Sequence, residues 1–514
     1  MTDFMTTPAS SEDFSKPPDS SQSATQWAKR NLFNSPLNTV ITLLFAPIAA
    51  YLLYRLFRFV FITGQWEPVA RNLENFMIGQ YPREERWRIV AQLLILAGSF
   101  GVLMGAMRSS ARDTAEETGE PFEPTSWRTY LSSFWAVGAF LLLILVAFVD
   151  TIGPWLLTGG VFALGLVGWA VASRITAGLR PFAYSLAAVG ACASFQVLSG
   201  TGGWAWLYTT VALLPALNSL VGRLPRATAA GVAGAGALAS VVAFGLRPGL
   251  LMLVPVAIGL YAAFIAYRGD RIDGGRAGAI VLVGIAVFLL NGAIDHGGID
   301  WKEWGGFHLN LVATVGGVVL AFPLGVLLAL GRRSDLPAVR MLSVGYIEFF
   351  RGAPLITFLL AAQFFLGFFL NTANPLSLVT RAIVAVTLFS AAYIAEIIRG
   401  GLQSVPSGQI EAGQAQGLSQ AKIMRLIVLP QALRAVIPAM VGQFISLFKD
   451  TSLFSIIALP EFLEVRGQIH AQAEFRGFGI AESLTFVAVG FAVVAFSMSR
   501  ESQRLEKRLG VGQR

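Results

Sequence analysis

A chain of 514 residues with 55% hydrophobic and only 13% charged side chains is too apolar to be a soluble protein of this length. The formal net charge of +8 does not mark a nucleic-acid binder: the basic residues sit mostly in short loops between apolar runs, not among exposed aromatics. One cysteine, Cys192, lies in an apolar run, which excludes an internal disulfide framework and a cysteine-based metal site; the three histidines, His296, His308 and His470, are scattered, so no metal is expected.

Met1 to Gln26 is rich in Ser, Thr, Pro and Asp and lacks a basic start followed by an apolar core, so it does not read as a signal peptide. Residues 1–37 are expected to form a disordered cytoplasmic tail. Apolar runs then approach the roughly 20 residues that cross a bilayer core. The backbone must satisfy its own hydrogen bonds there, and the alternation of a membrane barrel is absent, so an all-α polytopic membrane protein is predicted. About nine spans are expected in an extension over residues 38–300, near 40–62, 89–107, 131–149, 154–173, 181–199, 205–222, 229–246, 250–267 and 277–294. Another five are expected over residues 301–514, near 310–330, 354–370, 377–397, 434–449 and 483–498.

Loop charge tests this arrangement. With the N-terminus inside, the inner loops carry Arg108 and Arg112, Arg174 and Arg180, Arg223 and Arg226, then Arg268, Arg271 and Arg276. The outer loops hold few cations, apart from 64–88, where Arg71, Arg83, Arg86 and Arg88 mix with Glu67, Glu74, Glu84 and Glu85. Continuing the alternation puts Arg332, Arg333 and Arg340, the segment around Glu411 and the basic C-terminal tail on the cytoplasmic side.

That segment runs Glu411-Ala412-Gly413-Gln414-Ala415-Gln416-Gly417 and is followed by Ile427-Val428-Leu429-Pro430, a polar, Gly-punctuated stretch between apolar runs. Gly417 is expected to divide it into two short helices, Glu411 to sit near a helix start, and the chain to turn at Leu429-Pro430 before re-entering the membrane. Its spacing resembles the "EAA" loop of ABC-importer permeases, with Gly413 where that family usually has Ala. Further segments resemble the polar and general L-amino-acid permeases: Phe322-Pro323-Leu324-Gly325, Tyr346-Ile347-Glu348-Phe349-Phe350-Arg351-Gly352-Ala353-Pro354-Leu355, Ala392-Tyr393-Ile394-Ala395-Glu396 and Gln443 to Leu453. The long N-terminal half looks like the long membrane subunits of general L-amino-acid importers.

The resemblance implies a five-helix type I importer core in residues 301–514, with a coupling loop at about 402–430, preceded by about nine extra spans. It implies a bacterial inner-membrane location and a docking role for Glu411, Ala412, Gly413, Gly417, Leu429 and Pro430 on a cytoplasmic ATPase dimer. It also implies a second permease core, homologous but different in preference to a homodimer, and a periplasmic amino-acid-binding protein. Both termini are expected in the cytoplasm, amino acids are the expected substrate, the bilayer is the remaining partner, and no nucleic acid is expected.

The chain is expected to be non-catalytic and to hold no cofactor of its own. A P-loop needs Gly-Lys-Ser/Thr, and none of Lys16, Lys29, Lys302, Lys422, Lys449 and Lys507 follows a glycine, so ATP hydrolysis falls to a partner chain. Lys449 and Asp450 stand between two apolar runs, where ionisable groups mark pathways or pair with each other. Asp450, with Thr451 and Ser452, either faces the translocation path and meets a substrate ammonium, or forms a structural pair with Lys449. Arg351, beside Glu348, is open to lipid anchoring or gating, and Glu396 with Arg399 reads as a local ion pair. A secondary transporter would show two related halves, which are not seen; a scaffold would explain the extension but not the motif series.

Overall fold

The computed structural model describes residues 24–119, 153–176, 303–365 and 377–509, with isolated positions between 144 and 198 and at 299. Regular structure among the described residues is helical. Among the described residues seven helices are long and apolar enough to cross a membrane, or eight if the bent pair Pro337–Gly352 and Leu355–Phe364, which meet at 102°, is one span. The expected spans near 205–222, 229–246, 250–267 and 277–294, and most of those near 131–149 and 181–199, lie outside the described residues.

Two compact units divide after Trp66. The first holds α1 (Ala24–Asn31) and α2 (Pro36–Arg58), the latter continued by a π turn over Phe59–Thr63. Ser35 accepts a hydrogen bond from Asn38 N–H at 3.2 Å and Pro36 opens the helix, which fixes the start of α2.

The second unit begins with two short helices, α3 (Glu67–Arg71) and α4 (Leu73–Ile78), then α5 (Trp87–Thr118) and α6 (Pro154–Ala172). It continues with α7 (Gly306–Arg332), α8 (Pro337–Gly352), α9 (Leu355–Phe364) and α10 (Leu378–Ser404). The last members are α11 (Ser407–Ala415), α12 (Gln420–Ile423), α13 (Leu429–Asp450), α14 (Phe462–Ala471) and α15 (Ile480–Leu509). Helix α8 stops where Pro354 forbids a helical residue before it: Ala353 is extended, at φ −129° and ψ 154°.

The core of this unit lies where α7, α8, α10 and α13 meet, through Ala321, Leu328, Ile347, Ile394, Ile398 and Val436. A second apolar centre joins α4 to the opposite end of the same helices. Phe76, fully buried, meets Phe462 edge-on at 5.9 Å and Phe486 at 5.3 Å, while Phe307 meets Phe462 at 5.1 Å. Close backbone approach makes this possible: Gly306 has φ +62°, and a Cβ there would lie 2.6 Å from the Phe76 carbonyl oxygen. His308 of α7 then bonds Gln92 of α5 at 2.7 Å, both side chains buried. Residues from Glu67 to Gln92 are thus built into the same body as the C-terminal helices.

Candidate functional site

The polar residues singled out in the sequence fall at two ends of α13. Its 22 residues rise roughly 33 Å at 1.5 Å each, so the Gly417 segment and Asp450 are separated by about a membrane thickness.

At the first end, α10 stops at Ser404 and α11 carries Glu411 and Ala412 in its middle turns, both exposed. Glu411 is therefore not at a helix start, as its position in the sequence suggested; the helix begins four residues earlier, at Ser407, after Pro406. The two short helices flanking Gly417 are α11 and α12, and the turn between them has a defined chemistry. Gly417, at φ +73°, gives its N–H to the Gln414 carbonyl at 2.9 Å, and Leu418 gives its N–H to that of Gly413 at 3.1 Å. This is the paired bonding of a Schellman C-cap, which needs a left-handed residue and so favours glycine. Leu418 and Ile410 then reach back to the apolar core.

Gly413 is the one buried residue of α11. A Cβ there would sit 2.9 Å from Ile423 Cγ1 and 3.3 Å from Ile427 Cδ1. The departure from the usual alanine therefore lets α11 lie closer to the chain that follows it.

The structure overturns the expected turn at Leu429-Pro430. The chain runs from α12 through a π turn, Met424–Val428, directly into α13, and the whole of Leu426–Ile457 is one apolar span. The Leu429 N–H bonds the Met424 carbonyl, one residue further back than in an α-helix, so Pro430 enters in the first turn, where its missing N–H costs nothing. The Gln431 side-chain amide donates to the Ile427 carbonyl at 3.0 Å.

Close to the end of α10, Glu396 gathers three arginines. Arg332 of α7 is 2.7 Å away, Arg399 2.9 Å and Arg351 of α8 3.6 Å; Arg332 also reaches Glu348 at 3.3 Å. The local Glu396–Arg399 pair is present, but it is one part of a node that joins three helices and includes both residues proposed for the interface, Glu348 and Arg351. Arg351 additionally lies 5.8 Å from the centre of the Tyr393 ring. Sequence reasoning did not link Arg332 to this node; the only available signal was that each of these residues follows an apolar run.

At the other end the candidates part company. Thr451 is fully buried, its hydroxyl donating to the Phe448 carbonyl at 2.6 Å and accepting from Asn310 Nδ2 at 3.0 Å. Ser452 donates to the Lys449 carbonyl at 2.7 Å. Lys449 is exposed, Asp450 is half-buried, and among the described residues no ion pair within 4.0 Å joins them. Adjacent residues on a helix do not face each other.

Glu461 is the polar residue the sequence did not single out. It is fully buried, accepts the Leu463 and Glu464 N–H groups on Oε1 at 3.0 and 2.9 Å, and accepts Asn310 Nδ2 on Oε2 at 3.0 Å. It therefore caps α14 while Asn310 Oδ1 accepts the Phe462 N–H at 3.1 Å. Burial outweighs these bonds and pushes its carboxyl up to about 7. The cue in the sequence was slight: an acidic residue directly before a helical apolar pattern.

Residues 321–510 match the family described as the binding-protein-dependent transport system inner membrane component. Over 267 residues the chain is 40% identical to the inner membrane amino-acid ABC transporter permease protein YhdY of Escherichia coli K12, covering 51% of this chain and 70% of that one. It is 47% identical over 212 residues to the glutamate/glutamine/aspartate/asparagine transport system permease protein BztC of Rhodobacter capsulatus, covering 41% of this chain and about half (49%) of that relative. It is also 37% identical over 205 residues to the probable glutamine ABC transporter permease protein GlnP of Bacillus subtilis, covering 40% of this chain and 92% of that one. The chain belongs to this family and is an inner-membrane permease of an amino-acid ABC importer.

Proposed function

We propose that this permease forms half of an amino-acid translocation path and couples to a separate ATPase dimer through α11 and the Gly417 turn. The observation that carries the reading is the exposure of Ser407 to Gln409, Glu411, Ala412 and Gln414 to Gly417, on a segment tied at Gly413, Leu418 and Ile423 to the core. A rigidly mounted polar ridge offers a mechanical contact without cost in ordering a loop. Leu429 and Pro430 serve by continuing that mount into α13. ATP is bound and split by the partner, and this chain holds no cofactor.

On this reading residues 301–514 are a five-helix type I core, residues 38–300 an extension of about nine spans, and residues 1–37 a cytoplasmic tail. Both termini and α11 face the cytoplasm, a second, non-identical permease completes the path, and a periplasmic binding protein delivers an amino acid. The names of BztC and GlnP favour a polar side chain on that substrate. The node of Glu348, Arg351, Arg332, Arg399 and Glu396 sits at the inner interface, where it ties α8 to the helix that leads into α11.

The path itself is assigned to the turn at Lys449, Asp450, Thr451 and Ser452. Thr451 and Ser452 hold the turn by their hydroxyl bonds, Asp450 meets the substrate ammonium, and Lys449 stands beside it. Uptake of labelled amino acid in vesicles, together with recovery of the ATPase on gentle purification, tests the proposal. Glu411→Arg is expected to lose bound ATPase and uptake with the chain still folded; full uptake in that variant would reject the coupling role. Asp450→Asn is expected to lower uptake with the complex intact, and unchanged uptake would remove Asp450 from the path.

A further inference from the structure

Helices α5 and α6 of the extension carry a second charged site that the transport reading does not use. They are held unusually close by glycine: a Cβ on Gly101 would lie 2.0 Å from the Gly165 carbonyl oxygen, and one on Gly105 2.5 Å from that of Trp169. Small residues permit such approach between membrane helices. At the end of this pair a cavity of about 290 Å³ opens, lined by Arg108, Arg112, Trp169, Ala170, Ser173 and Arg174. Three arginines and one tryptophan thus line a single cavity.

Their commitments differ. Arg112 pairs with Asp113 at 3.2 Å and reaches Glu116 at 3.8 Å. Asp113 is also taken by Arg180, which donates to the Ser109 carbonyl as well. Arg108 lies 4.8 Å from the centre of the Trp169 ring, a stacking contact that leaves the edge of its fork available. Among the described residues neither Arg108 nor Arg174 is paired with a carboxylate. The stacked fork of Arg108, with the Arg174 charge beside it in the cavity lining, suits the planar, bidentate binding of phosphate oxygens.

The setting selects the form in which phosphate arrives. Both helices are apolar spans, and the turns next to the cavity expose Leu103 and Met107 on α5 and Val167 and Val171 on α6. A ligand held here therefore has its charged group at the arginines and apolar surface beside it. We infer that the Arg108–Trp169–Arg174 cavity binds a phosphate-bearing ligand, and that its source is the headgroup of an anionic membrane lipid. The positive-inside pattern puts the cavity on the inner leaflet. The inference gives the extension a role as a lipid contact and does not depend on the coupling or path assignments.

The experiment uses the full chain purified in a neutral detergent, with thermal unfolding followed while dioleoyl-phosphatidylglycerol, dioleoyl-phosphatidylcholine or inorganic phosphate is added. Phosphatidylglycerol is expected to raise the midpoint and phosphatidylcholine to leave it unchanged. Arg108→Gln with Arg174→Gln is expected to weaken the phosphatidylglycerol response about tenfold or more, since each lost charge-assisted bond accounts for roughly that factor. Trp169→Leu, which keeps all the charges, is expected to weaken it less. Should the double glutamine variant not fold, Arg108→Lys with Arg174→Lys retains the charge and still tests the planar fork. An equal response to inorganic phosphate, lost in the same variants, would uphold the phosphate site and overturn the lipid source. A phosphatidylglycerol response that survives both double variants would overturn the site.

Discussion

The two ends of α13 solve opposite problems with polar groups. At the Asn310–Thr451–Glu461 end these three side chains are buried and hydrogen-bonded, and the bonds of Asn310 join segments remote in sequence: Asn310 and Glu461 lie 151 residues apart. At the α11 end the polar side chains lie in solvent, and the geometry is set by the backbone through a Schellman turn, a buried glycine and a π turn. The first arrangement fixes helices against each other, and the second fixes a surface and leaves its side chains available. A substitution should therefore affect stability at one end and partnership at the other.

Asn310→Ala should show the largest effect, because it strands both the Phe462 N–H and one oxygen of Glu461. A loss of about 4 kcal/mol is expected from two buried groups without partners. Chemical unfolding in detergent measures it, and a loss below about 1 kcal/mol would mean that water reaches this end.

The pH dependence sharpens the same point. Because the folded carboxyl of Glu461 titrates near 7 and the unfolded one near 4.5, the native state binds more protons between those values. Its contribution is thus most favourable at or below the unfolded value and declines as pH rises to about 7, by about 3 kcal/mol in all. Glu461→Gln, which keeps the size and cannot ionise, should flatten this slope, and identical pH profiles for the two proteins would contradict the assignment.

The node around Glu396 is intermediate in burial, and so is its expected effect. Glu396→Gln should cost about 1.5 kcal/mol, a modest value because its arginine partners are about a third exposed. Double-mutant cycles should find a larger coupling to Arg332, at 2.7 Å, than to Arg351, at 3.6 Å. The reverse order would shift the weight of the node to α8.

Gly417→Ala should have the smallest effect on folding, about 1 kcal/mol for an alanine in the left-handed region. Nothing lies within 4 Å of an added Cβ there, so the cost is conformational and not steric. A hydrogen-exchange measurement on the Leu418 amide would report the weakened turn directly.

Much of this was legible before any coordinates. Apolar length sets a membrane helix because the backbone has no other partner in lipid, so the spans over 36–63, 83–113, 154–172, 306–332, 378–404 and 480–504 follow the composition closely. The two-helix form of the segment around Gly417 was legible for a local reason too, since a left-handed glycine acts within a few residues. Leu429-Pro430 misled because a proline reads as a stop, whereas a one-residue change of register upstream lets it enter a helix.

By itself, then, the sequence determined what each segment is: its helices, its membrane habit, its motif series and the break between two short helices at Gly417. Tertiary structure alone decided which residues meet. It brought Arg332 and Arg351 to Glu396, buried Thr451 beside Asn310 while Lys449 stayed outside, and set Arg108 against Trp169. The reason is range: helix formation and turns depend on neighbours three or four residues away, but these pairings depend on how whole helices cross.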